Sequence, residues 1–308
     1  MNRVVVTGAD GFTGPHLVTE LTRRGCREVL GLGLAESLPF SRPGYRYRRV
    51  DVTDSATLGP AIKAFRPDAV FHLAGRMSGT PPEVFHANLI GTVSLLTALR
   101  EYAQGVAVLV IGSSAEYGRA FDSGIRVAED ATCEPYGPYA LSKYAATLAA
   151  LDAHREWQAQ VVVARPFNLV GAGIPSTLIA GALMDRVLEG MRDSSTDAVE
   201  MGRTDTFRDF IAVEDAVDAY IRLLDTRRWG EVFNVCSGQA TSIAALAEMM
   251  LSFSTRPLSL RTASEFVRPH DVLVAVGCPD KTEAACGFAA SRPVRNALLS
   301  AWHERLNR

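Results

Sequence analysis

The run Arg3-Val4-Val5-Val6-Thr7-Gly8-Ala9-Asp10-Gly11-Phe12-Thr13-Gly14 decides the fold. Three successive valines predict a buried strand. Three glycines follow at Gly-x-x-Gly-x-x-Gly spacing. Phe12, Leu17, Val18 and Leu21 then keep helical spacing and predict a helix over 12–24. Gly8 and Gly11 let the backbone turn sharply and approach a pyrophosphate, and Gly14 lets the helix pack on the sheet. The helix N-terminus offers N–H groups and a positive dipole end to phosphate. A glycine-rich turn alone is a weak signal, but one between a strand and a helix reads as a dinucleotide loop. Gly8, Gly11, Phe12, Thr13 and Gly14 are its candidate cofactor contacts.

Outward from that loop, strand and helix alternate. Strands are predicted over 28–33, 47–52, 68–74, 106–112 and 161–165, and helices over 56–65, 82–102 and 136–156. Strands apolar throughout and separated by helices imply a parallel sheet covered on both faces. The fold class is therefore α/β, a Rossmann-type doubly wound sheet. After Arg165-Pro166-Phe167-Asn168 the rhythm changes to dense turns and short strands. A helix over 211–224, a strand over 231–236 and a helix over 242–251 with Ser242 as N-cap follow. The stretch 254–280 reads as irregular. The expected division is 1–165 plus 211–235 for the dinucleotide domain, and 166–210 plus 236–308 for a smaller substrate-binding α/β lobe.

The 308 residues are 47% hydrophobic and 21% charged, which excludes a disordered or fibrous chain. A net charge of −2 leaves no basic excess for a nucleic-acid backbone. No apolar run approaches the ~20 residues of a membrane helix. The chain enters a strand at once, so no signal peptide is expected. Five cysteines without Cys-x-x-Cys spacing and six histidines without His-x-x-x-His spacing predict neither a disulfide framework nor a metal site. A reduced, cytoplasmic protein is expected.

Tyr139-Ala140-Leu141-Ser142-Lys143 puts Tyr and Lys on one helix face. A phenol with a pKa near ~10 is a poor acid–base at neutral pH. A neighbouring ammonium and a cationic nicotinamide ring bring it toward the working range. Ser113 and Ser114 end an apolar strand at its carboxyl tip, where ligands bind in open α/β sheets. Ser113 there either polarises a substrate carbonyl or serves as a cap. The adenosine side is less defined. At the end of the second strand, Gly31-Leu32-Gly33-Leu34 supplies neither the acid that holds a ribose 2′-hydroxyl nor the base that accepts a 2′-phosphate. Glu36, Arg42, Arg46 and Arg48 come later, so NAD(H) and NADP(H) both stay open. Asp51-Val52 reads as an adenine contact or as a helix-capping turn.

With these residues together, the chain resembles the extended short-chain dehydrogenase/reductase family over essentially its whole length. The carriers are Thr7-Gly8-x-x-Gly11-x-x-Gly14, Asp51-Val52, His72-Leu73-Ala74, Asn88-x-x-Gly91-Thr92, Ser113-x-x-x-Tyr117-Gly118, Tyr139-x-x-x-Lys143 and Arg165-Pro166-Phe167-Asn168. The resemblance implies Tyr139 as acid–base, Lys143 on the nicotinamide ribose and Ser113 on the substrate oxygen. It adds Leu73, Ala74, Gly75, Asn88, Arg165 and Phe167 to the cofactor contacts. Within the family the chain is most similar to the branch acting on GDP-linked hexoses, its 4-keto-6-deoxyhexose reductases and 4,6-dehydratases. Arg208-Asp209-Phe210, Phe233-Asn234-Val235-Cys236-Ser237-Gly238, Arg268-Pro269-x-Asp271 and Trp302 carry that likeness. It implies substrate contacts at Ser114, Glu116, Asn168, Arg208, Arg268 and Asp271, with Arg208 and Arg268 as solvated loop charges the bland alternative. It also implies a homodimer through helices 83–103 and 136–156.

One position separates the chemistries. Similar dehydratases carry an acid two places after the Ser113 hydroxyl, and this chain has Ala115, which transfers no proton. The expected activity is NAD(P)H-dependent reduction of the C4 keto group of a nucleotide-linked, GDP-type 4-keto-6-deoxyhexose. The alternatives are a 4-epimerase, a 4,6-dehydratase or a non-catalytic NAD(P)-binding regulator.

Overall fold

The computed structural model describes residues 1–37, 40–193, 195, 197–263 and 272–307. Its elements run β1 (Arg3–Thr7), α1 (Thr13–Arg23), β2 (Glu28–Gly33), β3 (Tyr45–Arg49), α2 (Ser55–Phe65), β4 (Ala69–His72), α3 (Pro81–Phe85), a π-turn (His86–Ile90), α4 (Gly91–Tyr102), β5 (Ala107–Ile111), two 3₁₀ turns (Ser114–Tyr117, Arg119–Ser123), α5 (Gly137–Trp157) and β6 (Val161–Pro166). They continue with β7 (Asn168–Val170), α6 (Ile179–Arg192), β8 (Ala198–Met201), β9 (Phe207–Arg208), β10 (Phe210–Ala212), α7 (Val213–Asp225), β11 (Glu231–Val235), β12 (Thr241–Ser242), α8 (Ile243–Leu251), β13 (Ser259–Thr262), β14 (Val274–Ala275), α9 (Asp280–Cys286) and α10 (Val294–Leu306).

Seven strands form one parallel sheet in the order β3-β2-β1-β4-β5-β6-β11. The valines of β1 explain why both faces are covered. Val4 and Val6 enter a core with Leu17 and Leu21 of α1 and Ala216 and Tyr220 of α7. Val5 enters the opposite core with Leu58 and Ile62 of α2 and Leu95 and Leu99 of α4. A strand buried on both sides must be apolar at every position. Strand order reverses beside β1, between β2 and β4. The crevice at their carboxyl ends is the topological switch point where such sheets bind ligands.

The elements beyond β6 differ more from expectation. Fourteen residues of α6 occupy a stretch read as dense turns, and α9 and α10 are two further helices. Met184, Leu188, Leu246, Leu298 and Trp302 pack α6, α8 and α10 into a separate core. The helix expected from 211 starts at Val213, because Phe210–Ala212 pairs with β7 first. The third strand ends at Arg49 rather than 52. As an edge strand it has one pairing partner, and its last bond to β2 runs from the Val50 N–H to the Gly33 carbonyl at 2.8 Å. The helix expected over 82–102 is interrupted by the π-turn at His86–Ile90. No helix among the described residues is long and apolar enough to cross a membrane.

Candidate active site

Gly8 sits at φ +65°, and a Cβ there would lie 2.7 Å from the Ala74 nitrogen. That contact closes the glycine loop onto the residues after β4. A cavity of about 470 Å³ opens between them, lined by Gly8, Gly11, Asp51, Val52, Leu73, Ala74 and Gly75 among the expected contacts. Asp10, Gly33, Leu34 and Arg76 also line it and were not expected. A cavity walled by glycines at a helix N-terminus fits an adenosine pyrophosphate. A wider cleft of about 930 Å³ lies outside α1. Several of its charges pair with one another, Glu20 with Arg23 and Arg24, and Asp218 with Arg222.

The cavity floor is held by one buried hydrogen-bond chain. The Ala74 N–H donates to Thr7 Oγ1 at 3.3 Å, and the Thr7 hydroxyl meets His72 Nδ1 at 2.7 Å. On the other side His72 Nε2 meets Thr92 Oγ1 at 3.1 Å, and that hydroxyl donates to the Asn88 carbonyl at 2.7 Å. Thr92 has therefore used its proton and accepts from His72, which fixes the Nε2–H tautomer. Burial, with the Lys143 charge beside it, pushes the His72 pKa down to about 3, so the ring is neutral. Asn88, expected on the cofactor, instead clamps the loop. Its Oδ1 accepts from the Arg76 N–H at 2.7 Å, and its Nδ2 donates to the Arg76 carbonyl and Ser142 Oγ. The π-turn places it there, a frequent use of such turns at functional sites.

At the carboxyl end of β5 the catalytic candidates converge. Ser113 accepts the Ala115 N–H at 3.1 Å as a cap, and its hydroxyl neighbours the Tyr139 phenol. Tyr139 keeps part of its surface open while its hydroxyl end is desolvated. Burial raises its pKa, the neighbouring Ser113 hydroxyl opposes that, and the Glu116 charge adds to it. Lys143 donates to the Ile111 carbonyl at 2.5 Å. Burial lowers its pKa to about 8 against the pull of Glu116. A Cβ on Gly75 would lie 3.5 Å from Lys143 Nζ, so the ammonium borders the cavity wall. Cap and substrate contact are thus compatible roles for Ser113.

Glu116 and Arg165 correct the expectation. Read as substrate and cofactor contacts, they form a buried ion pair behind Ser113, Nε to Oε2 at 2.8 Å, with side chains 0% and 4% exposed. The Arg165 guanidinium also lies over the Tyr117 ring at 4.8 Å. Glu116 takes the Ser113 N–H at 2.8 Å and the Thr147 hydroxyl at 3.1 Å. It turns inward because Ser114–Tyr117 is a 3₁₀ turn, not extended chain. Phe167 likewise packs into a satellite core with Tyr117 and Phe121 instead of facing the cavity. Phe12 leans on His16 at the outer cleft, and Thr13 and Gly14 enter α1.

On the substrate side, Ser114 and Ala115 stay partly exposed beside Ser113. Asn168 donates its amide to the Asp209 carbonyl at 2.8 Å. Asp209 is fully buried and accepts from Ser237 N, Ser237 Oγ and Gly238 N, fixing that turn. Arg208 reaches the Phe207 and Val272 carbonyls. Arg268 and Asp271 lie outside the described residues. Among those described, no group of His, Cys, Asp and Glu is arranged to hold a metal.

The sequence pattern of the NAD dependent epimerase/dehydratase family matches residues 4–236, the span that holds the glycine loop, Ser113, Tyr139 and Lys143. The chain belongs to that family. It is 29% identical to GDP-6-deoxy-D-mannose reductase of Pseudomonas aeruginosa, over 99% of this chain and 98% of that one. The structure of RMD from Pseudomonas aeruginosa complexed with NADPH matches with a TM-score of 0.84 at 28% identity, covering 99% and 98% of the two chains. MoeE5 in complex with UDP-glucose and NAD matches with a TM-score of 0.85 at 30% identity, covering 100% of each. The protein is an NAD(P)-dependent enzyme of the extended short-chain dehydrogenase/reductase type.

Proposed function

We propose that this enzyme reduces the C4 keto group of a GDP-linked 4-keto-6-deoxyhexose, with Ser113, Tyr139 and Lys143 as its catalytic residues. The observation that carries the reading is the buried Ser113 hydroxyl at the carboxyl end of β5 with Tyr139 and the buried Lys143 beside it, and Ala115 adjoining. A reduced nicotinamide cofactor supplies hydride when bound. Ser113 donates to the C4 oxygen and polarises it, and Tyr139 passes its proton to the oxygen as negative charge develops there. Lys143 supplies the positive charge that makes the phenol an effective acid–base. His72 and Asn88 hold the loop that aligns the cavity with these groups. Dehydration needs a further proton-transferring group next to Ser113, and the Ala115 methyl offers none.

Nucleotide recognition falls to the 166–210 and 236–308 lobe, and cofactor binding to 1–165 with 211–235. Arg208 and Arg268 suit a diphosphate, since a guanidinium donates two parallel hydrogen bonds to phosphate oxygens. Asn168, Ser114 and Asp271 complete that side. A homodimer through α4 and α5 fits the apolar side chains they leave exposed, Val93 at 40%, Leu141 at 43% and Leu148 at 45%. A cytoplasmic setting fits the reduced cysteines.

Incubation with GDP-mannose and NAD, followed by mass spectrometry, tests the reading. No 4-keto-6-deoxy product is expected, and its detection would restore the dehydratase. Calorimetric titration of GDP into the cofactor-loaded protein tests the nucleotide side. Arg268→Ala should weaken binding by roughly 1.5–3 kcal/mol, as for a charge-assisted hydrogen bond. Equal affinity would remove Arg268 from the site.

A further inference from the structure

The end of β2 carries no acidic residue, yet the structure brings one there from the glycine loop. Asp10 Oδ2 accepts the Leu34 N–H at 2.7 Å and the Ala35 N–H at 2.8 Å, with the Tyr47 hydroxyl at 3.5 Å. Gly33 makes room for this, because a Cβ there would overlap the Asp10 carboxylate. Asp10, Gly33 and Leu34 all line the dinucleotide cavity. We propose that Asp10 takes the part of the missing strand-end acid, holding the adenosine ribose 2′-hydroxyl and excluding a 2′-phosphate, so that NAD(H) is the preferred cofactor. The inference rests on reading the 470 Å³ cavity as the adenosine site.

Three observations support the choice. Backbone N–H groups just past β2 suit an anionic acceptor, and Asp10 has already taken those of Leu34 and Ala35. A phosphate placed there would meet a like charge within a few ångströms, which is costly in a partly enclosed site. Two of the arginines that follow β2 are engaged elsewhere. Arg46 pairs with Glu28 at 2.7 Å, and Arg49 pairs with Glu36. A ribose 2′-hydroxyl, by contrast, has a proton to give and meets a carboxylate acceptor.

Equilibrium titration of the purified protein with NADH and NADPH, read by cofactor fluorescence, tests this without turnover. Wild type should bind NADH at least about tenfold more tightly. Asp10→Asn keeps an oxygen acceptor for the β2 end and removes the charge, so the ratio should fall at least about threefold through tighter NADPH binding. Should the variant fail to fold, AMP and adenosine 2′,5′-bisphosphate titrated into wild type decide the matter. AMP binding with rejection of the bisphosphate supports the inference. Equal binding of the two, NADPH preference in wild type, or an unchanged ratio in Asp10→Asn overturns it. Binding of neither dinucleotide would overturn the cavity assignment itself, a result distinct from loss of discrimination.

Discussion

Replacing Arg165 with Met tests how Ser113, the proposed catalytic serine, is supported. In the wild type the Glu116 carboxylate meets Arg165 at 2.8 Å, the Ser113 N–H at 2.8 Å and the Thr147 hydroxyl at 3.1 Å. Arg165→Met fills similar volume against Tyr117 but leaves a buried carboxylate on neutral donors. Removing one partner of a buried pair costs about 3–5 kcal/mol. With a urea slope of about 3 kcal/mol/M for a chain this long, the unfolding midpoint should drop by roughly 1–1.7 M. The pH dependence carries a sign. Burial already raises the Glu116 pKa, and Arg165 opposes that shift, so the variant's carboxyl should rise further. A carboxyl raised in the folded state contributes stability below its unfolded pKa and loses it as pH rises through the folded pKa. The deficit of Arg165→Met should therefore be larger at pH 8 than at pH 5. Glu116→Leu with Arg165→Met removes both charges and should recover about 2 kcal/mol or more of the loss. Urea titrations followed by circular dichroism at both pH values provide the assay. A deficit below about 1 kcal/mol at pH 8, or a double variant no more stable than the single one, would refute the reasoning.

Tyr139→Phe should cut turnover by about 10²–10⁴-fold with cofactor affinity little changed, as steady-state kinetics and fluorescence titration would show. Lys143, with its pKa lowered to about 8 from 10.5, is deprotonated in the fold where the unfolded chain still holds its proton. The cofactor-free protein should thus gain stability from this residue between about pH 8 and 10.5, a gain missing from Lys143→Met in melting curves across that range. Leu148→Arg, placed on the exposed face of α5, should give a monomeric mass by light scattering at micromolar concentration while wild type gives a dimer.

The parallel sheet and its nucleotide loop were legible because their signals are local. Val4, Val5 and Val6 sit between two apolar layers, so the strand is written as an unbroken run. Ser242 also caps α8 as its position implied, accepting the Ala245 N–H at 3.0 Å. The helix α6 was harder to see, although Ala180, Leu183, Met184, Val187 and Leu188 keep helical spacing, because the flanking stretches are rich in turn residues. Partners far apart in the chain were harder still. Glu116 finds Arg165 across 49 residues, and Asp10 reaches Ala35 across 25. Spacing rules describe one helix face or one strand face, and they carry no information on contacts closed by the sheet order. The missing acid at the end of β2 left the ribose contact open in the sequence, and the Asp10 carboxylate came into view only with the fold.

The account's central claim is hydride delivery to C4 of a nucleotide-linked 4-keto-6-deoxyhexose. Incubation of that sugar with nicotinamide cofactor deuterated at the transferable position, followed by mass spectrometry of the product, tests it most directly. One deuterium at C4 with equimolar oxidation of the cofactor is the result predicted. A product formed without deuterium or net cofactor oxidation, or an unchanged keto sugar, would contradict it.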